Sequence, residues 1–114
     1  MPALFQTTQQ PRVSRLDDAT VIWLQGEQDV ATVRVLADVL YTEIATSNCH
    51  VVVDLDQVTF IDGTTVAAIV HGRQMLQDRD RRLTLRAPSP AARRLLDLCG
   101  LSDVLDPRRP APEG

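Results

Sequence analysis

The sequence predicts an α/β domain: a mixed, mostly parallel β-sheet with helices packed against it. Three observations carry this expectation. Residues 51–55 form an apolar run broken only by Asp54, with the length and β-branched content of a buried central strand. On both sides of that run, apolar residues recur at the three- and four-residue spacing of a helix face. The patterns then alternate as β-β-α-β-α-β-α with a short final β, and single helices between strands imply parallel neighbours joined by right-handed crossovers. With 114 residues, 44% of them hydrophobic, the chain has the length of one domain and enough apolar side chains for one core of modest size.

Taken in order, residues 1–10 are polar and irregular and read as a flexible N-terminus. Arg12, Val13, Ser14, Arg15 and Leu16 alternate as an edge strand does, and Asp17-Asp18 reads as a turn. Val21, Ile22, Trp23 and Leu24 supply a β-rich run within residues 19–26, which completes a hairpin. Trp23, the one tryptophan, is assigned to sheet packing. Gly26-Glu27-Gln28-Asp29 ends this strand. Asp29 is placed as the next helix's N-cap, because its carboxylate accepts from an orphan amide and suits the helix dipole. Val33, Leu36, Ala37, Leu40 and Ile44 form one apolar helical face, and Ser47-Asn48 ends the element.

After the 51–55 strand, a polar break precedes a second short run at 58–61. Asp62-Gly63-Thr64-Thr65 then opens a helix over about 64–78, with Val66, Ala67, Ile69, Val70 and Leu76 inward and the Arg73 stem lying along the sheet. Asp78-Arg79-Asp80-Arg81 reads as a solvated turn, and residues 82–86 as a strand with Leu83 and Leu85 buried. Ser89 is a natural N-cap and Pro90 suits the first helical position. Ala92, Leu95, Leu96 and Cys99 make the inward stripe, and Gly100 fits the left-handed residue that ends a helix. Leu101, Val104 and Leu105 read as a closing apolar contact or a short last strand. Residues 106–114, with three prolines, read as a disordered tail, leaving 11–105 as the folded domain.

Composition excludes several functions. A net charge of −3, arginines scattered among acids and an aromatic content of 4% argue against a nucleic-acid surface. No apolar run approaches the roughly 18 residues of a membrane span, and no basic segment leads into an apolar one at the N-terminus. Cys49 and Cys99 lack metal-ligand spacing and read as small buried or half-buried thiols of a reducing compartment, so a cytoplasmic location is expected. His50 and His71 are single histidines assigned to the surface. No Gly-rich loop with a lysine is present, and no cofactor is expected. Asp62, Thr64 and Thr65 have no histidine or lysine placed to activate a hydroxyl, so an enzyme is not the expected class.

In open α/β sheets, sites form where strand ends meet helix N-termini. Two such points stand out, 27–29 and 62–65. Each has a purely structural account: Thr64 or Thr65 as a helix cap, and Asp62-Gly63 as a turn.

Three segments resemble the STAS domain of bacterial anti-sigma factor antagonists, over roughly residues 13–105. Gly26-Glu27-Gln28-Asp29 is similar to that family's Gly-Glu-Leu-Asp after its second strand. Val53-Asp54-Leu55 through Val58-Thr59-Phe60-Ile61-Asp62 resembles its central strand and the loop into the phosphorylation site. Ser89-Pro90 through Leu98-Cys99-Gly100-Leu101 resembles its last long helix and the Gly-Leu that follows. The departure falls at the site. The family's Asp-Ser-Ser-Gly, with Thr sometimes as the second hydroxyl, stands here as Asp62-Gly63-Thr64-Thr65. Register puts Thr64 at the phosphorylated hydroxyl, Gly63 at the first Ser and Thr65 at the Gly. The tail departs too, with a proline-rich stub where members often add a helix.

The resemblance implies a non-enzymatic partner switch. The unmodified chain would bind an anti-sigma factor, itself a serine/threonine kinase of histidine-kinase-like ATPase fold, and so free a sigma factor. Phosphorylation of Thr64 would end the interaction. Glu27, Asp29, Asp62, Gly63, Thr64 and Thr65 would form the partner-facing surface, with ATP belonging to the partner. Monomer and homodimer both stay open. The alternative is an unphosphorylated STAS scaffold, or a separate cytoplasmic subunit of a transporter or signalling assembly.

Overall fold

The computed structural model describes residues 10–106. Along them run β1 (Arg12–Leu16), β2 (Ala19–Gln28), α1 (Val33–Thr46), β3 (His50–Ile61), α2 (Gly63–Gln77), β4 (Leu83–Arg86), α3 (Pro90–Leu98) and a 3-10 turn, Ser102–Val104. The strands form one sheet in the order β1-β2-β3-β4, with β1 antiparallel to β2 and the other pairs parallel. The mixed α/β architecture and the element order are those predicted. The segments read as flexible, 1–10 and 106–114, fall outside the described residues except for Gln10 and Asp106.

The hairpin closes through Asp17 and Asp18, with Leu16 opposite Ala19. Asp17 takes a φ of 54°, a left-handed conformation that Asp tolerates better than bulkier residues. Gly26, expected to end β2, instead continues it at a φ of 74°. The β2–β3 register slips between Trp23 and Gln25 and again between Gly26 and Glu27, so β3 holds extra residues against β2. This explains why Asp56 and Gln57, read as a break, lie inside one continuous strand.

Alternation along the strands sends Ile22, Leu24, Val51, Val53, Leu55, Leu83 and Leu85 to one face. There they meet Leu36, Leu40 and Ile44 of α1, Ile69 and Leu76 of α2, and Ala92 and Leu96 of α3 in a single core. Each fully buried branched side chain stabilises the fold by roughly 1.5–3 kcal/mol. The opposite face is tied by a row in register across all four strands. Arg12 lies 4.8 Å over the Trp23 ring, Trp23 pairs with Asp54, and Arg86 Nε donates to Asp54 Oδ2 at 2.7 Å. That ion pair accounts for a carboxylate inside the apolar 51–55 run.

Three inward assignments and one outward assignment change. Ala67 and Val70 are exposed, and α2 buries Thr65, Val66, Ala68, Ile69, Gly72 and Leu76 instead. The reason is Gly72, which faces α1 so closely that a Cβ there would sit 2.5 Å from Leu40 Cδ2. Cys99 is exposed rather than inward, because α3 ends at Leu98 and Cys99 is already its cap. Arg81, read as part of a solvated turn, is 6% exposed. Its Nη1 donates to Ile44 O and its Nε to Cys49 O, both at 2.8 Å, so it satisfies a carbonyl of the last turn of α1. The other ends follow expectation: Ser89 Oγ accepts from Ala92 N–H at 3.1 Å, Pro90 opens α3, and Gly100 has a φ of 81°. Leu105 closes the fold as a parallel bridge to Leu85. Among the described residues no helix is long and apolar enough to cross a membrane.

The α1–α2 contact yields a stability prediction. Gly72→Ala is expected to destabilise by about 1–3 kcal/mol through overpacking, despite alanine's better helix propensity. Combined with Leu40→Ala, which removes the clashing atoms, its cost is expected to fall below the sum of the single substitutions in urea unfolding.

Candidate functional site

The site is set up by unequal strand lengths. β1 last meets β2 at Arg12↔Trp23, and β4 last meets β3 at Asp54↔Arg86. Beyond these pairs β2 and β3 run on together, through Gln25↔Gln57, Gly26↔Val58, Glu27↔Phe60 and Gln28↔Ile61. A two-stranded parallel ribbon has little stability alone. Here Val58 and Ile61 anchor it in the core. Gln28, 4% exposed, stitches its end: Nε2 donates to Gln25 O at 2.9 Å, and the main-chain carbonyl accepts from Asp62 N–H at 3.1 Å.

Asp62 then starts α2. Its backbone is extended, and Oδ1 accepts from the amides of Thr64 at 3.0 Å and Thr65 at 3.1 Å. The same oxygen accepts the Thr64 hydroxyl at 2.7 Å and the Thr65 hydroxyl at 3.3 Å. Two orphan amides of the helix are thereby satisfied, and the carboxylate's charge lies at the positive end of the dipole. The Thr64 hydroxyl above all, with the Thr65 amide and hydroxyl and the Thr64 amide behind it, holds the Asp62 carboxyl below the usual carboxylate range, against some desolvation. The cap is therefore Asp62, and neither threonine is needed in that role.

The six expected partner-facing residues divide. Glu27, Gly63 and Thr64 are exposed, and Asp29 and Asp62 are half-buried, all at the end of β2, in the turn after it, or at the start of α2. The Gln28 to Asp62 hydrogen bond brings the two predicted corners onto one edge. Thr65 is corrected: at 0% exposure its side chain lies inside, because it falls on the face of α2 turned to the core. Asp29 is corrected as a cap. A turn intervenes, in which Asp29 Oδ1 accepts from Ala31 N–H at 2.9 Å and Asp29 O accepts from Thr32 and Val33, so α1 starts only at Val33 with Thr32 at its N-cap. Sequence reasoning missed Gln28 and Thr32. The Thr32 hydroxyl accepts from Asp29 N–H at 3.0 Å and lies 3.4 Å from Gln28 Oε1. Nothing in a polar corner marks which glutamine is buried. Among the described residues no group of His, Cys, Asp or Glu is arranged to hold a metal.

Two outcomes are expected at this cap. Because the folded-state pKa of Asp62 is depressed, its stabilisation is complete above the unfolded value near 3.9 and is lost as pH falls through the folded value. Asp62→Asn keeps a capping side chain but does not titrate. The stability advantage of the parent over this variant should shrink as urea midpoints are followed below about pH 4, and an advantage that grew would contradict the assignment. Gly63 has nothing within 4 Å of a built Cβ, and its φ is not left-handed. Gly63→Ser should fold and be unchanged or up to about 1 kcal/mol more stable by the same measurement.

With this geometry in place, known proteins give a consistent match. The STAS domain family model matches residues 8–112. The anti-sigma-B factor antagonist of Staphylococcus epidermidis is 32% identical over 89 residues, 78% of this chain and 82% of that protein. SpoIIAA of Bacillus, an anti-sigma factor antagonist solved in its unphosphorylated form, has the same fold, with a TM-score of 0.76 at 21% identity over 84% of this chain and 85% of that one. An anti-sigma factor antagonist from Mycobacterium paratuberculosis also gives 0.76, at 25% identity over 86% and 85% of the two chains. The four-stranded mixed sheet, its three helices and the sequence match lead to one conclusion: this chain belongs to the STAS domain family.

Proposed function

We propose that this chain is an anti-sigma factor antagonist that binds a kinase-type anti-sigma factor of histidine-kinase-like ATPase fold, releases a sigma factor, and is switched off by phosphorylation of Thr64. The observation that carries this reading is the Thr64 hydroxyl: exposed, at the first turn of α2, and oriented by a 2.7 Å hydrogen bond to a carboxylate. The family relatives named as anti-sigma factor antagonists support it.

The chemistry asks little of this chain. In transfer, a bond forms between Thr64 Oγ1 and the γ-phosphorus of the partner's ATP, the bond to ADP breaks and ADP leaves, and the hydroxyl proton passes by way of Asp62 Oδ1 to solvent. That proton already points at Asp62 Oδ1. Asp62 thereby orients the acceptor, while the depressed pKa makes it a weak base. Thr65 offers no competing acceptor, since its hydroxyl is buried.

The modification adds about −1.5 to −2 charges beside Asp62. In the docked complex it would face the partner's nucleotide phosphates, and like charges so placed cost several kcal/mol. About 3 kcal/mol corresponds to roughly a hundredfold in affinity. A helix N-terminus tolerates the phosphate locally, so no refolding is required.

A second reading, a constitutive binder, is favoured by Gly63 and Thr65 in place of the family's Ser and Gly. One experiment separates the two. The chain is incubated with a purified kinase-type anti-sigma factor and ATP, and phosphosites are mapped by mass spectrometry. Phosphate on Thr64 is expected, with Thr64→Ala blocking it and still binding, and Thr64→Glu binding about 10- to 100-fold more weakly. Because Asp62 is the cap, Thr64→Ala leaves the helix start in place. Binding without any phosphate at residues 63–66 would overturn the switch and leave the constitutive reading.

A further inference from the structure

We infer that Phe60 is the apolar anchor of the partner interface, seated in a pocket of the anti-sigma factor whose rim is basic; this rests on the function proposed above. Phe60 sits on the β2–β3 ribbon one residue before buried Ile61, and its side chain is turned outward at 53% exposure. It is the one aromatic among the exposed large apolar side chains of the described residues. Val30, 71% exposed, lies in the turn just past the end of β2 and is a second exposed apolar group close in the chain to that end of the ribbon.

Charge identifies what covers them. Residues 24–33 and 55–70, the ribbon with its following turn and the first half of α2, hold Glu27, Asp29, Asp56 and Asp62 and no lysine or arginine. Those four acids exceed the net charge of the entire chain, −3. Glu27 stands directly opposite Phe60 in the ladder. A half-exposed phenyl ring with Glu27 opposite it, on segments that carry acids and no bases, fits an apolar pocket with lysine or arginine side chains around it. Interface anchors have this form: an aromatic side chain desolvated at the centre with polar contacts excluding water around it. The basic rim meets the ribbon, while Thr64, around the corner on α2, faces the nucleotide. Attraction through Glu27 and repulsion through a phosphorylated Thr64 therefore act at different places on the partner.

The test measures binding by calorimetry, using the kinase-type anti-sigma ATPases of the source organism purified one at a time. Phe60→Ser is expected to bind at least about 30-fold more weakly than the parent. Glu27→Lys is expected to bind about 5- to 10-fold more weakly, and the parent's affinity should fall as salt is raised from 50 to 300 mM. Leu16→Ser, an exposed apolar position in the β1–β2 hairpin remote from the ribbon, should stay within twofold. Thermal unfolding of each variant checks the fold, and Glu27→Lys gives an independent arm on an exposed side chain. Parent binding with Phe60→Ser within threefold would overturn the anchor and leave the proposed function standing. No binding of the parent to any of these ATPases would overturn the proposed function and the anchor with it.

Discussion

The parallel pairing of β2 with β3 is the constraint on which the rest of this molecule depends. It joins the hairpin to the α/β units and supplies the middle of the sheet face against which the helices build the core. It also continues seven residues of β3 past the last partner in β4. Parallel pairing needs a crossover, and α1 provides it, while Arg81 ties the end of that crossover back to the chain near β4. The two register slips lengthen β3 relative to β2 until Ile61 and Gln28 meet, which brings Asp62 within hydrogen-bonding distance of the Gln28 carbonyl. Removal of the slips would move every outward side chain of the ribbon relative to the α2 start.

At the end of that ladder one carboxylate oxygen organises the start of α2. Four hydrogen bonds converge on Asp62 Oδ1, two from amides and two from hydroxyls. The arrangement holds one hydroxyl toward solvent and the next toward the core. It also separates the residue that caps from the residue proposed to react, so chemistry at Thr64 need not cost the helix its first turn. The proposed modification would change the charge of the surface without asking for a change in the core. The geometry thus suits a switch read by a partner better than one read by a rearrangement of the chain.

Much of this was legible in the chain's pattern. The element order, the helix face of α1, the Ser89-Pro90 start and Gly100 end of α3, and the helix start at Asp62-Gly63-Thr64-Thr65 all follow from periodicity and turn chemistry. Those signals are local, because a residue's spacing to its neighbours decides them. The misreadings are equally instructive. Arg81 looked solvated because it sat among charges, yet it is buried on carbonyls 32 and 37 residues away in sequence. Asp29 had the chemistry of a cap, but a turn held by Thr32 delays the helix.

By itself, then, the sequence determined the α/β class, the strand-helix alternation and a hydroxyl-bearing helix start at residues 62–65. It also determined that the ribbon segments carry acids without bases. Tertiary structure alone decided which of two adjacent threonines faces water, since that depends on the rotation of α2. That rotation is set by the close approach of Gly72 to Leu40 on another helix. Tertiary structure likewise decided that the 27–29 and 62–65 corners share an edge, because their proximity comes from a ladder between strands more than thirty residues apart. Local pattern carries no record of such distances, and for that reason the residue types at the helix start could be read from the sequence while their arrangement in space could not.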